Sequence, residues 1–98
     1  MEKVNLVSDP KVEQALREQI LNAVIDGELG DGLVVTRQQV MEKFKGKFSD
    51  NYLSVILANS EMGAKTSGYP PFTIRIDEGK YRIHPVELLY RMRDRGMI

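Results

Sequence analysis

Ninety-eight residues are enough for one domain and too few for two. The apolar share of 42% is ordinary for a globular chain, the 29% charged share does not indicate disorder, and the lack of cysteine excludes a disulfide framework, a thiolate metal site and a thiol nucleophile. Fourteen basic and fourteen acidic residues give zero net charge, which opposes strong non-specific DNA binding, since that is driven by cations releasing counterions from phosphate.

Residues 1–10 lack the apolar run of a signal peptide, and no stretch approaches the ~18 apolar residues that span a bilayer. The expectation is a cytoplasmic protein with no membrane segment. Ser8-Asp9-Pro10 is a helix start, a capping side chain followed by proline at the first helical position. Val12, Leu16, Ile20 and Val24 recur every four residues, and Ala15, Leu21 and Ile25 widen the stripe. This predicts an amphipathic helix of about four turns. Gly27 ends it, and Gly30-Asp31-Gly32 forms a turn. Residues 33–35 are a short β-prone run. Thr36 caps a second helix over residues 37–44, with Val40, Met41 and Phe44 inward.

Gly46 breaks that helix, and Ser49 or Asp50 caps a third over residues 51–62. Leu53, Ile56, Leu57 and Ser60 share one side of it. Asn51, Ser54, Val55, Ala58 and Met62 share the other, with Tyr52 and Asn59 on the flanks. Residues 63–71, with two glycines and two prolines, read as a loop. Residues 72–76 alternate as a strand, Asp77-Glu78-Gly79-Lys80 makes a hairpin turn, and residues 81–83 return. Pro85 opens a last helix reaching about residue 95, with Val86, Leu89, Tyr90 and Arg93 at helical spacing.

The expected fold is α+β: helix, short strand, helix, turn, helix, β-hairpin, C-terminal helix. Residues 1–98 form a single domain, with a core over about 10–84 and the last helix over 85–98. The order of elements is similar to the winged helix-turn-helix superfamily. The residues carrying the likeness are Val34-Val35-Thr36 leading into helix 37–44, the turn 45–50, the helix 51–62 and the hairpin 72–83 as the wing. Two features depart from the pattern: the long stretch 63–71, and the lack of arginine or lysine on the third helix.

The resemblance implies binding of double-stranded DNA, with helix 51–62 in the major groove. Asn51 and Asn59 would then pair with adenine, Ser54 with either base type, and Val55 and Ala58 with thymine methyls. Phosphates would meet Arg37, Lys43, Lys45, Lys47, Lys65, Arg75, Lys80 and Arg82, contacts that position a protein without reading sequence. The charge distribution agrees in part. Residues 1–31 carry three basic and seven acidic residues, a net −4, and residues 32–98 carry eleven and seven, a net +4.

Several features have a plainer reading beside the functional one. Lys43, Lys45 and Lys47 form a phosphate patch or a solvated helix end. The outer side of helix 51–62 reads bases or contacts a protein. Tyr69-Pro70-Pro71-Phe72 is a recognition loop or a seal on the core edge. Asp77-Glu78 belongs to a turn and Ser49-Asp50 to a cap. His84, the single histidine, is an edge residue and makes no zinc site alone. No nucleophile, base, phosphate loop or dinucleotide motif can be assembled, so neither catalysis nor a cofactor is expected. Leu88 and Met92 form a second apolar stripe on the last helix, which suggests a homodimer through it. The expected function is non-catalytic DNA binding, as a small transcriptional regulator or an accessory protein of a DNA-processing system. The alternative is a protein-interaction module on the same scaffold.

Overall fold

Helix α1 (Pro10–Ile25) begins where Asp9 accepts a hydrogen bond from the Lys11 amide at 2.9 Å and Pro10 supplies a preset φ. The computed structural model describes residues 9–63 and 69–98, so Ser8 and Lys65 lie outside the described residues. The buried stripe of α1 is Glu13, Leu16, Ile20, Leu21, Ala23 and Val24. Ala15, expected in the stripe, is exposed, and Val12 and Ile25 are half-buried. Glu13 stands seven residues before Ile20, on the same face of the helix, and is the acid inside that face.

After α1 the chain turns sharply. Gly30 has φ +83°, and a Cβ there would stand 2.6 Å from the Val34 carbonyl oxygen, so only glycine fits. The Asp31 and Val34 amides each donate to the other's carbonyl, at 2.8 and 3.1 Å, and strand β1 (Val34–Thr36) follows. Helix α2 (Arg37–Lys43) starts with a reciprocal cap. Thr36 Oγ1 accepts from the Gln39 amide at 3.0 Å, and Gln39 Oε1 accepts from the Thr36 amide at 2.9 Å. Helix α3 (Asp50–Asn59) is capped by Ser49 and ends three residues earlier than its pattern suggests. The Ser60 carbonyl stops it by accepting from the amides of Phe72 and Thr73, while the Met62 amide donates to the Thr73 carbonyl at 2.8 Å.

Strands β2 (Thr73–Asp77) and β3 (Lys80–Ile83) form the hairpin, and β1 pairs with the free side of β3, giving the antiparallel order β1-β3-β2. The register matches Val35 to Tyr81 and Thr73 to Ile83 on the core side, and Val34 and Ile74 to Arg82 on the other. It follows that Thr73 faces inward, whereas Ile74 and Ile76 of the alternating run are exposed. Leu16, Ile20, Val35, Val40, Leu53, Phe72 and Ile83 share one core between α1, α2, α3 and the sheet. Tyr69 and Phe72 are buried in it, so the aromatics of the 69–72 stretch seal the core edge.

Helix α4 (Pro85–Asp94) is capped by His84, whose Nδ1 accepts from the Val86 amide at 3.1 Å. It lies along α1, held by Arg17 to Glu87, by Arg91 to Glu18 at 3.8 Å, and by Arg95 to Asp26 at 3.1 Å. Arg91 also donates to Asn22 at 2.8 Å. This docking reverses the roles of the two apolar stripes of α4. Leu88 is only 8% exposed and Met92 is half-buried within the single chain. Val86, Leu89 and Tyr90 point outward instead, with Leu89 51% exposed.

The two stripes predict opposite mutational outcomes. Leu88→Ala is expected to cost about 2–4 kcal/mol in denaturant unfolding, and Leu89→Ala no more than about 0.5 kcal/mol. Equal losses would mean that α4 docks differently. Tyr69 supplies a pH test. Burial pushes its phenol above the ordinary 10.0, partly offset by the Ser60 hydroxyl at 3.0 Å. The fold therefore holds the neutral phenol, while the unfolded chain ionises first. Stability should be complete below pH 10.0 and decline as pH rises through the higher folded value. Tyr69→Phe is expected to flatten that alkaline decline in pH-dependent melting.

Candidate nucleic-acid interface

Helix α3 turns Leu53, Ile56 and Leu57 into the core, so its opposite side faces solvent. At ~100° per residue, Asn51, Ala58 and Asn59 lie within about 60° of Val55 on that side. Val55 is 39% exposed, and Asn51, Ala58, Asn59 and Met62 are exposed with it. Ser54, predicted to join them, is half-buried, and its hydroxyl donates to the Asn51 carbonyl at 3.2 Å. It stands at the edge of the face. Tyr52 is also committed elsewhere, since its hydroxyl accepts from the Asp9 amide at 2.9 Å and ties α3 to the start of α1. Asp50, in the first turn of the helix, sits roughly 140° from Val55.

The cations divide into two populations. Arg17, Arg91 and Arg95 are spent on acids between α1 and α4. Arg17 does most. Its guanidinium also donates to the Pro70 carbonyl at 3.1 Å and lies 5.5 Å from the centre of the Phe72 ring, joining α1, α4 and the 69–72 stretch. Lys43 pairs with Glu28 at 3.3 Å. Lys43 and Lys47 border one surface hollow together with Asp26 and Glu28, so two members of the lysine triad stand beside the acidic end of α1. Lys45 is exposed and borders a different part of the turn.

Lys11, Arg37, Lys45, Lys47, Arg75, Lys80, Arg82 and Arg93 form no ion pair among the described residues. Three of these, Arg37, Lys80 and Arg82, are drawn together by the sheet. The Arg37 amide donates to the Gly79 carbonyl at 2.9 Å, which puts the first residue of α2 against the hairpin turn. Thr36, Arg37, Gln38, Glu78 and Lys80 border a common hollow there. Lys80 and Arg82 alternate onto the outward face of β3, and Arg75, opposite Tyr81, takes the other face of the hairpin. Asp77 and Glu78 sit in the same turn and reduce its positive field.

Three features here were not read from the sequence. The Arg17 clamp has no local signature, because its partners are 53 and 70 residues away. The Gln39 half of the cap did have one, a threonine three residues before a glutamine. Glu13 is buried with Oε1 lacking a hydrogen-bond partner among the described residues, which its place on an apolar stripe foreshadows. Among the described residues no cluster of His, Cys, Asp or Glu is arranged to hold a metal ion, and no helix is long and apolar enough to cross a membrane. Compared with known proteins, the chain matches no family model, no curated protein and no solved structure.

Exposure separates the ion pairs in strength. In double-mutant cycles Lys43–Glu28 is expected to couple by less than about 1 kcal/mol. Arg17–Glu87, with both side chains largely shielded, should couple more strongly, at roughly 1–3 kcal/mol. Equal couplings would remove Arg17 from its central position.

Proposed function

We propose that this domain is a winged-helix module that binds double-stranded DNA and catalyses no reaction on it. Helix α3 enters the major groove, and the hairpin acts as the wing. The arrangement supports this reading through the antiparallel order β1-β3-β2, with α2 and α3 between the first strand and the hairpin. The observation that carries it is the segregation of cations. Those between α1 and α4 are neutralised, while Arg37, Arg75, Lys80 and Arg82 at the α2 start and the hairpin are unpaired among the described residues. Free cations on elements bordering an exposed helix provide the electrostatic component of duplex binding. Asn51 and Asn59 meet base edges, while Arg37, Arg75, Lys80 and Arg82 hold phosphates. A small transcriptional regulator or an accessory factor of a DNA-processing system fits such a module.

One observation favours a second reading, a protein-interaction module. Helix α3 has no cation, and Val86, Leu89 and Tyr90 form an exposed apolar strip on α4. The salt response of DNA binding separates the two readings. Four phosphate contacts give a log–log salt slope of about −3.6, so affinity for mixed-sequence duplex should fall roughly 150-fold between about 50 and about 200 mM salt. Lys80→Glu/Arg82→Glu should abolish binding, and Lys43→Ala should leave it nearly unchanged. Salt-insensitive binding, or none at about 50 mM, would favour the protein-interaction reading.

A further inference from the structure

We infer that the exposed face of α3 selects A·T base pairs over G·C, an assignment that rests on the DNA reading above. The commonest specific contact to guanine is a bidentate arginine or lysine on its O6 and N7 atoms. Helix α3 and its flanks from Ser49 to Gly63 contain neither residue. What the helix does expose matches the other base pair. An asparagine amide donates to adenine N7 and accepts from adenine N6, and small apolar side chains meet the thymine C5-methyl group. Asn51 and Asn59 stand about 80° apart around the helix axis, one on each side of Val55, with Ala58 beside Val55. The two amides stand about 12 Å apart along the axis with Val55 between them, so the face presents amide, methyl-bearing and amide groups in turn along the helix, suited to adenine and thymine edges several steps apart.

Asp50, the residue able to accept from cytosine N4, is turned roughly 140° away from Val55. The Ser54 hydroxyl, which is indifferent to base type, is engaged with the Asn51 carbonyl. The hairpin reinforces the selection independently. Arg82, on the outward face of the hairpin, is exposed and in no ion pair among the described residues, and the narrow minor groove of A·T tracts concentrates negative potential that attracts arginine.

The test is fluorescence anisotropy of the full chain with two duplexes of equal length, one all A·T in mixed order and one all G·C, at about 50 mM salt. The A·T duplex should bind at least about tenfold more tightly, the discrimination of one or two bidentate contacts. Asn51→Ala/Asn59→Ala, checked for unchanged circular dichroism, should bring the two affinities within about threefold of each other and keep the salt slope. Equal binding of both duplexes by the parent chain would overturn the selection and leave the DNA reading intact. An A·T preference that survives in the double variant would overturn its assignment to α3. Binding of neither duplex would overturn the DNA reading itself, and the selection with it.

Discussion

Three residues of strand, Val34 to Thr36, lying against the return strand of the hairpin, set the geometry on which the candidate site depends. Their pairing places Thr36 opposite Lys80. Because Thr36 is also the cap of α2, the first turn of that helix is delivered to the hairpin turn, and Arg37 donates its amide to Gly79. Arg37 is far in sequence from Lys80 and Arg82, and this one short ladder brings it beside them, while Arg75 lies on the other face of the hairpin. At the other end of the hairpin, the Ser60 carbonyl receives two amides from the start of β2, so α3 is fixed to the same sheet. A buried carbonyl with both acceptor positions filled holds an angle well, because releasing either amide leaves a polar group unsatisfied in the core.

Zero net charge hides an uneven surface. The seven acidic residues of the first 31 lie largely on or after α1, and two of them, Glu18 and Asp26, are answered by Arg91 of α4 and Arg95 at its end. Arginine suits this role because its planar fork bonds two partners at once, as Arg17 does with Glu87 and the Pro70 carbonyl. Among the cations this leaves unpaired within the described residues are those of the hairpin and of the α2 start. A single total for the chain cannot report that separation, whereas the spatial pairing does.

Much of the fold was legible because local rules agreed with one another. The spacing of Leu53, Ile56, Leu57 and Ser60 marked the buried side of α3, and all four are inside. Thr36, Pro10 and Pro85 marked helix starts that the chain uses. Errors arose where tertiary contacts choose between two acceptable patterns. Helix α4 carries apolar residues on two sides, and spacing alone does not say which side meets α1. The arginines at 91 and 95, bonded to α1, decide for Leu88 and Met92. Strand β2 shows the same limit. Its isoleucines alternate as a core strand would, but the register with β3 gives the inward positions to Thr73 and Arg75. In the candidate site, the face of α3 was readable from periodicity, while the division of Lys43 and Lys47 from the hairpin cations was not, because it depends on where Glu28 and Asp26 lie.

The outward isoleucines also bear on how the molecule stays apart from its own copies. Strand β2 is an outer edge of the sheet, bonded to β3 on one side and covered on the other at Thr73, where Met62 and Glu61 approach. Beyond Thr73, Ile74 and Ile76 lie exposed along it, the composition that lets one edge recruit another. Two features discourage it. Arg75 and Asp77 place opposite charges beside the isoleucines, and the register shifts between Arg75 and Asp77 so the edge is not straight. A short, charged and kinked border of this kind is what sheet proteins use against stacking into fibrils, so the arginine offered to phosphate also acts as a gatekeeper of solubility.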